Sequence, residues 1–311
     1  MARYIVKRLV WLVIIVLSVA VIIFSLMYIT DGDPARSMLS LNATEEQVNA
    51  LREELGLNDP YLVQLVRFLR QTFLEFDIGT SYRTSKPVMD EVFGRIGYTL
   101  LISTVSTAIA TVLGVRLGIM AATNQYSWKD NAAIFLSLFC VSMPEFWFAL
   151  MLVSIFALNL GLLPPFGVDS WVCFILPCIS CMVGGMATIA RQTRSSMLGV
   201  IRQDYITTAK AKGQTPDKII KKHALKNALI PIITVIGTQY GIQMGGSVVV
   251  EQIFSIPGLG SYMMTAIGFR DYPAVRGGVL IIAICFSVVV LLMDLIYAFV
   301  DPRFKDQYKN G

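Results

Sequence analysis

Long apolar runs separated by polar stretches dominate the chain. Six of them, at about 9–29, 98–123, 132–158, 173–190, 227–250 and 279–300, reach the roughly 20 mostly apolar residues needed to cross a bilayer. Lipid offers no partner to a backbone N–H or C=O, so uninterrupted runs of this length predict helices, and the fold class is an all-α membrane protein of six transmembrane helices. Between the first two runs lies a polar segment, 30–97, with its own helix punctuation. Thr44–Gln47 (TEEQ) has the form of a capping box, Val48, Leu51 and Leu55 fall on one face, and Gly56 is placed to end the helix. Asp59 then stands as a cap with Pro60 at the first helical position, and Leu62, Leu65, Val66, Leu69 and Phe73 form an apolar stripe. Two short amphipathic helices cannot bury a large core of their own. They are expected to lie as a lid over the ends of the membrane helices, to offer a docking surface, or to do both.

The first run follows Arg3, Lys7 and Arg8, and Ser18–Ala20 has the small residues of a cleavage site. Its apolar stretch continues through Tyr28, past the core of about 7–15 residues typical of a signal peptide, so a retained first helix is expected. The chain has 311 residues, 55% hydrophobic and 15% charged, with a mean hydropathy of +0.64. A soluble domain carries about 25% charged residues. Charge also sets orientation. With the N-terminus inside, segments 1–8, 124–131, 191–226 and 301–311 hold sixteen Lys/Arg and five acids. Segments 30–97, 159–172 and 251–278 hold nine Lys/Arg and fourteen acids. The positive-inside rule then places both termini in the cytoplasm and segment 30–97 outside. The net charge of +5 follows from that orientation and calls for no nucleic-acid partner.

Several chemistries are excluded. No GxxxxGK[ST] occurs, so nucleotide hydrolysis would belong to another chain. The single histidine, His223, lies in a basic inside segment, which removes HExxH sites and a Ser–His arrangement within the membrane. Cys140, Cys173, Cys178, Cys181 and Cys285 lie in or beside apolar segments. Their one CxxC has no second pair and reads as packing, not metal ligation. The chain is expected to be no enzyme and to hold no metal or cofactor of its own.

Three charged residues fall within the apolar runs: Arg116, Glu145 and Asp294. Glu145, just after Pro144 and midway along its run, fits an intramembrane site lining a pathway. Arg116 and Asp294 stand within about two turns of the inside surface, where they snorkel separately or, as the favoured reading, form an interhelical pair. The fifth run has two stripes. Gly237, Gly241 and Gly245 make a ridge for close helix packing. Gln239, Gln243 and Ser247 lie about 200° away, on the other face. These polar groups either bond to adjacent helices or line a wet pathway for a polar solute.

Segment 191–226 carries nine Lys/Arg, yet its pattern is more ordered than a solvated loop requires. Asp204 can cap a short helix, Tyr205 to Lys212 form two turns, and Gly213 can end them. Thr215-Pro216-Asp217 then starts a second helix, whose Ile219, Ile220, Ala224 and Leu225 lead into the fifth run. The expected shape is a rigid helix–Gly–helix knuckle suited to a groove in another protein.

At these residues the chain resembles a known family. DYITTAKAKGQTPDKIIKKHALKNALIP (Asp204–Pro231), TDGDPA (Thr30–Ala35), LGLNDP (Leu55–Pro60), SMPEFW (Ser142–Trp147), TRSSML (Thr193–Leu198), GGSVVVEQIFSIPGLG (Gly245–Gly260), RDYPAVRGGVL (Arg270–Leu280) and DPR (Asp301–Arg303) occur in order over nearly the whole length. This set is similar to the peptide/nickel (dipeptide/oligopeptide) branch of ABC-importer transmembrane permeases. The resemblance implies a single permease domain over 1–311 with type I ABC-importer architecture. It also implies a coupling helix at Asp204, Tyr205, Thr207, Thr208, Ala209, Lys210, Ala211, Lys212 and Gly213, seated in a cytoplasmic ATPase. The general EAA…G form of that motif has a glutamate where this chain has Thr207, followed by Thr208, Ala209 and Gly213. The implied partners are a homologous second permease, two ABC ATPase subunits that bind ATP and Mg, and an extracytoplasmic substrate-binding protein, in a bacterial or archaeal inner membrane. The implied cargo is small peptides, with nickel or a metal chelate as the alternative. An ion-coupled secondary transporter is the reading from a different class; ATP depletion and co-purified ATPase subunits separate the two.

Overall fold

The computed structural model describes residues 2–30, 32–39 and 43–300, and among them the only extended pairing is an isolated bridge between Thr80 and Pro87. Asp31 of the TDGDPA motif and the whole of segment 301–311, including Asp301–Arg303, lie outside the described residues. Helix α1 (Ala2–Ile29) is followed by the short α2 (Pro34–Met38), α3 (Glu45–Glu54) and α4 (Tyr61–Leu74), and then by the long α5 (Val88–Thr123). Next come α6 (Trp128–Ser142) and α7 (Glu145–Leu152), which runs on as a π-helical stretch, Val153–Asn159. A 3-10 turn at Trp171–Phe174 leads into α8 (Ile175–Ile201), and α9 (Asp204–Ala211) follows. Helix α10 (Pro216–Lys218) passes through a second π-helical stretch, Ile219–Ala224, into α11 (Leu225–Ile253). Helices α12 (Leu259–Gly268) and α13 (Tyr272–Val300) complete the series.

Among the described residues, four helices are long and apolar enough to cross a membrane: Val6–Ile29, Val88–Thr123, Trp171–Ile201 and Tyr272–Ile296. The apolar run at 132–158 is not one straight rod, because α6 and α7 meet at Met143–Pro144 with a bend of 97°. Pro144 lacks an N–H and biases Met143 away from helical backbone, which breaks the ladder there. Counted as one span, the bent pair makes a fifth. Helix α11 has 29 residues, interrupted by Gln239, Gln243 and several glycines, and is not among these four. The helices also overrun the apolar runs: α5 begins at Val88, α8 reaches Ile201 and α13 begins at Tyr272. Helical hydrogen bonding does not stop at a hydrocarbon boundary, and Asp90 and Glu91 suit the positive end of the α5 dipole.

The chain divides into two compact units. One comprises 5–99 and 257–288. Here α3 keeps its expected ends. Thr44 Oγ1 accepts from Gln47 N (3.4 Å) and Gln47 Oε1 from Thr44 N (3.0 Å). Gly56 at φ +64° lets Leu57 N reach Arg52 O (2.9 Å). Helix α4 departs from expectation: Pro60 is the N-cap itself, and the Asp59 carboxylate turns to Arg67 instead of capping. Its buried face departs too. Phe68 stacks on Phe24 of α1 (centroids 5.4 Å apart) beside Leu65, Leu69 and Phe73, which leaves Leu62 and Val66 exposed. An aromatic pair of this kind adds about 0.5–1.5 kcal/mol beyond its area, enough to choose between two apolar faces. Asp271 is 2% exposed and gathers the rest of the unit. Its carboxylate caps α13 through Ala274 N (3.3 Å) and also accepts from Tyr82 N (3.1 Å), Arg83 N (3.2 Å) and the Ser81 hydroxyl.

The other unit comprises 1–4, 100–256 and 289–311 and is organised around α8, which packs against α6, α7 and α11. Helix α5 comes closest of all. A Cβ added to Gly114 would stand 2.7 Å from Met186 O, and one added to Gly118 would stand 2.6 Å from Ala190 O. This GxxxG lets two backbones touch. On the expected α11 ridge, a Cβ on Gly237 would meet the Met293 side chain (2.9 Å), while Gly245 faces open space.

Two outcomes test these contacts. Gly118→Leu should lower stability by about 1–3 kcal/mol, the usual cost of overpacking, in a thermal or denaturant unfolding series in detergent, whereas Gly245→Leu should leave the isolated chain nearly unchanged. Asp271→Ala orphans several buried donors and should cost about 2 kcal/mol or more; equal unfolding midpoints for Asp271→Ala and the parent would show that this carboxylate organises nothing.

Candidate functional site

Helix α9 has eight residues, too short to be stable alone in water. Its helicity comes from its buried face. Ile206 (0% exposed) and Ala209 (8%) pack with Ala122 of α5, Met197 of α8, and Ala228 and Ile232 of α11, together with Ile219 and Ala224 of the π-helical stretch. Eight of the nine residues expected to meet a partner are exposed: Asp204, Tyr205, Thr207, Thr208, Lys210, Ala211, Lys212 and Gly213. Ala209 instead belongs to the core. Asp204 also departs from its expected role. Gln203 is the N-cap, without a side-chain bond, and Asp204 is the first helical residue, where its charge suits the helix dipole.

The far end closes as expected. Gly213 takes φ +73°, Gln214 N bonds to Ala209 O (3.3 Å) and Gly213 N to Lys210 O (2.9 Å), a left-handed C-cap. Two polar clamps then bind this turn to the following helix. His223 Nε2 shares a hydrogen bond with Gln214 Oε1 (2.7 Å), and Asn227 Nδ2 donates to the Tyr205 hydroxyl (3.1 Å). A third clamp joins the start of α6 to α8. Asp130, 1% exposed, receives Arg194 Nε (2.6 Å) and Nη2 (2.8 Å) as a two-pronged pair and Tyr126 N (3.0 Å) besides. Sequence reasoning did not single out Asp130, Gln214 or Asn227. The available signals were the lone acid of segment 124–131 and the lone histidine of the chain.

The second feature is a cavity of about 210 Å³ within the same unit. Glu145, Gln239, Cys181, Gly184, Gly185 and Thr188 line it, among others. The bend before α7 places Glu145 at the first turn of a new helix, and its carboxyl meets the Cys181 thiol. The polar stripe of α11 divides between two uses. Gln243 is buried and donates to Cys181 O (2.8 Å), and Ser247, fully buried, donates to Glu251 Oε1 (3.2 Å). Gln239 alone of the three reaches the cavity. Gly184 and Gly185 were missed as lining residues; a Cβ on Gly184 would meet nothing within 4 Å. Arg116 is exposed and Asp294 is buried, so the two members of the expected pair occupy unlike surroundings.

The model of the "Binding-protein-dependent transport system inner membrane component" family matches residues 114–306, and that of its N-terminal companion matches residues 1–104. The chain belongs to this family. Within it, the relatives place the chain among the peptide-type ABC-importer inner-membrane permeases, and it is an ABC-importer permease subunit. It is 40% identical to the dipeptide transport system permease protein DppB of Alkalihalophilus pseudofirmus, over 98% of this chain and 100% of that one. It is 36% identical to the glutathione transport system permease protein GsiC of Salmonella paratyphi A, over 98% of this chain and 99% of that one. A solved structure described as inward facing conformations of the MetNI methionine ABC transporter covers 70% of this chain and 100% of its own, with a TM-score of 0.58 and 21% identity. At that identity the likeness concerns the fold.

The Asp130–Arg194 pair yields a direct test. Asp130→Ala leaves a guanidinium without its partner and should cost about 3–5 kcal/mol, while adding Arg194→Leu should recover much of the loss. Additive unfolding energies in the double mutant would show that the two residues act separately.

Proposed function

We propose that this permease carries small peptides, di- to oligopeptides or a glutathione-like tripeptide, delivered by an extracytoplasmic binding protein. The observation that carries the reading is the 40% identity to a dipeptide permease over 98% of the chain. In this reading the chain pairs with a homologous permease in a bacterial or archaeal inner membrane, crosses it six times with α11 as one crossing, and keeps both termini in the cytoplasm. The segment before α5 then lies outside, and α9 lies inside.

Of two ATPase subunits that bind ATP and Mg, one grips the exposed face of α9. Their closure moves α9, and the buried Ile206 and Ala209 pass that motion to the ends of α5, α8 and α11. ATP binding favours one of two conformations, and the pathway opens alternately to each side. Glu145 and Gln239 are the polar groups offered to the solute: a carboxylate for an ammonium group and an amide for a peptide bond. Gln243 instead ties α11 to α8, and the Ser247 hydroxyl is spent within α11 on Glu251.

Reconstitution of the complete transporter in liposomes separates these roles. Gly213→Leu meets no steric obstacle, but it forces a side chain into left-handed backbone at roughly 1–2 kcal/mol. It should leave ATP hydrolysis running while peptide uptake falls. Glu145→Gln should instead raise the KM for a dipeptide by about 10-fold, the scale of one charge-assisted hydrogen bond, with ATP coupling unchanged. Normal coupled uptake in Gly213→Leu removes the coupling role, and uptake driven by an ion gradient without ATP removes the transporter class.

A further inference from the structure

The unit formed by 5–99 and 257–288 contains a cavity of about 960 Å³, far larger than the one beside Glu145. Its charges do not cancel. Arg52 is tied to Asp33 Oδ2 (Nη2, 2.7 Å) and Arg67 to Asp59, so two of the three arginines on its wall are already neutralised. The third is Arg276. Its guanidinium lies over the rings of Phe68 (4.9 Å) and Phe24 (5.6 Å), and its Nε donates to Tyr272 O (3.2 Å). No carboxylate stands within 4 Å of it among the described residues. Ring faces attract a cation, but they cannot accept the hydrogen bonds that a planar guanidinium offers to a carboxylate. The Tyr82 phenol lines the same wall, and burial pushes its pKa up, so it remains a neutral donor at ordinary pH. On the wall too are Glu53, Glu54 and Asp77, and no ion pair to any of them occurs among the described residues.

We propose that this cavity is a second ligand site, which takes a short peptide by its two ends: the terminal carboxylate at Arg276, the terminal ammonium toward Glu53, Glu54 or Asp77. A wall with one cation outside any ion pair, and carboxylates that are also outside any ion pair, suits a solute that carries both charges. The volume suits a small ligand, within the range of about 300–1,000 Å³ usual for such sites. The choice of peptide rests on the function proposed above; the charge pattern is independent of it. This site is distinct from the Glu145 cavity, which belongs to the other unit.

Equilibrium dialysis of radiolabelled dialanine against the full chain in nanodiscs tests the proposal. The parent should bind dialanine at least 10-fold more tightly than dialanine amide, which lacks the carboxylate, and several-fold more tightly than N-acetyl-dialanine, which lacks the ammonium. Arg276→Gln should weaken the acid to the level of the amide and abolish the difference between them, a readout that a merely misfolded chain would not give. Arg276→Lys should restore part of the difference. Equal affinity for acid and amide in the parent, discrimination that survives Arg276→Gln, or displacement of dialanine by added phosphatidylglycerol would each overturn it. The last outcome would assign Arg276 to a lipid headgroup. If the assembled transporter imports no peptide while the chain still discriminates acid from amide, the transport reading fails and this site stands. If peptide is imported normally but the parent does not discriminate, the reverse holds.

Discussion

The burial of Ile206 and Ala209 beneath an eight-residue helix is the constraint on which the proposed mechanism depends. A two-turn helix has too little cooperativity to persist alone, and full burial of one isoleucine is worth about 1.5–3 kcal/mol. That contact makes α9 a helix and fixes which residues face outward. The surface formed by Tyr205, Thr208 and Lys212 is therefore a consequence of the core below it. The core in question joins α5, α8 and α11, so α9 cannot tilt without loading all three. The clamps at Gln214–His223 and Tyr205–Asn227 add that the Gly213 turn and the start of the next helix move with it.

Rigidity at that end contrasts with broken geometry elsewhere in the same unit. Helix α7 starts after a 97° bend and runs on as a π-helical stretch. Such distortions free backbone groups and recur at functional positions. Here the α7 bend brings Glu145 to the wall of the cavity reached by Gln239. The polar stripe of α11 also ties it to α8, since Gln243 bonds to the Cys181 carbonyl. Helix packing and cavity lining thus draw on one stripe, divided residue by residue.

Local patterns were legible in the sequence, and distant partners were not. TEEQ, Gly56, Gly213 and the turn at Pro216 depend on neighbours within a few residues, and each appears where the spacing places it. Asp59 and Asp204 had the right neighbours for caps. Asp59 found Arg67 instead, and Asp204 sits one residue inside its helix, so short-range chemistry lost to one added turn. The buried face of α4 turned on Phe24, a residue more than 30 positions away. The GxxxG ridges show the same limit. Gly237, Gly241 and Gly245 looked identical to Gly114 and Gly118, but only the facing backbone reveals that the pair on α5 is the one in closest contact. Asp130 and Asp271 carried no periodic mark at all, because their partners at Arg194 and Ser81–Arg83 are separated from them by loops and whole helices.

The same charge economy governs both units. In a chain with 15% charged residues and lipid as solvent, a buried charge persists only if something answers it. Asp130 is answered by Arg194, and Asp271 by backbone amides and a hydroxyl. Two side chains break the pattern: Glu145 and Arg276 each border a cavity, and neither has an ion partner among the described residues. Water can answer such a charge in part, but so can a solute of opposite sign that comes and goes. A conduit has to bind its cargo weakly enough to release it, and a single unmatched charge on a polar wall meets that requirement better than a closed set of ligands. Substrate contact is therefore expected where the internal pairing stops.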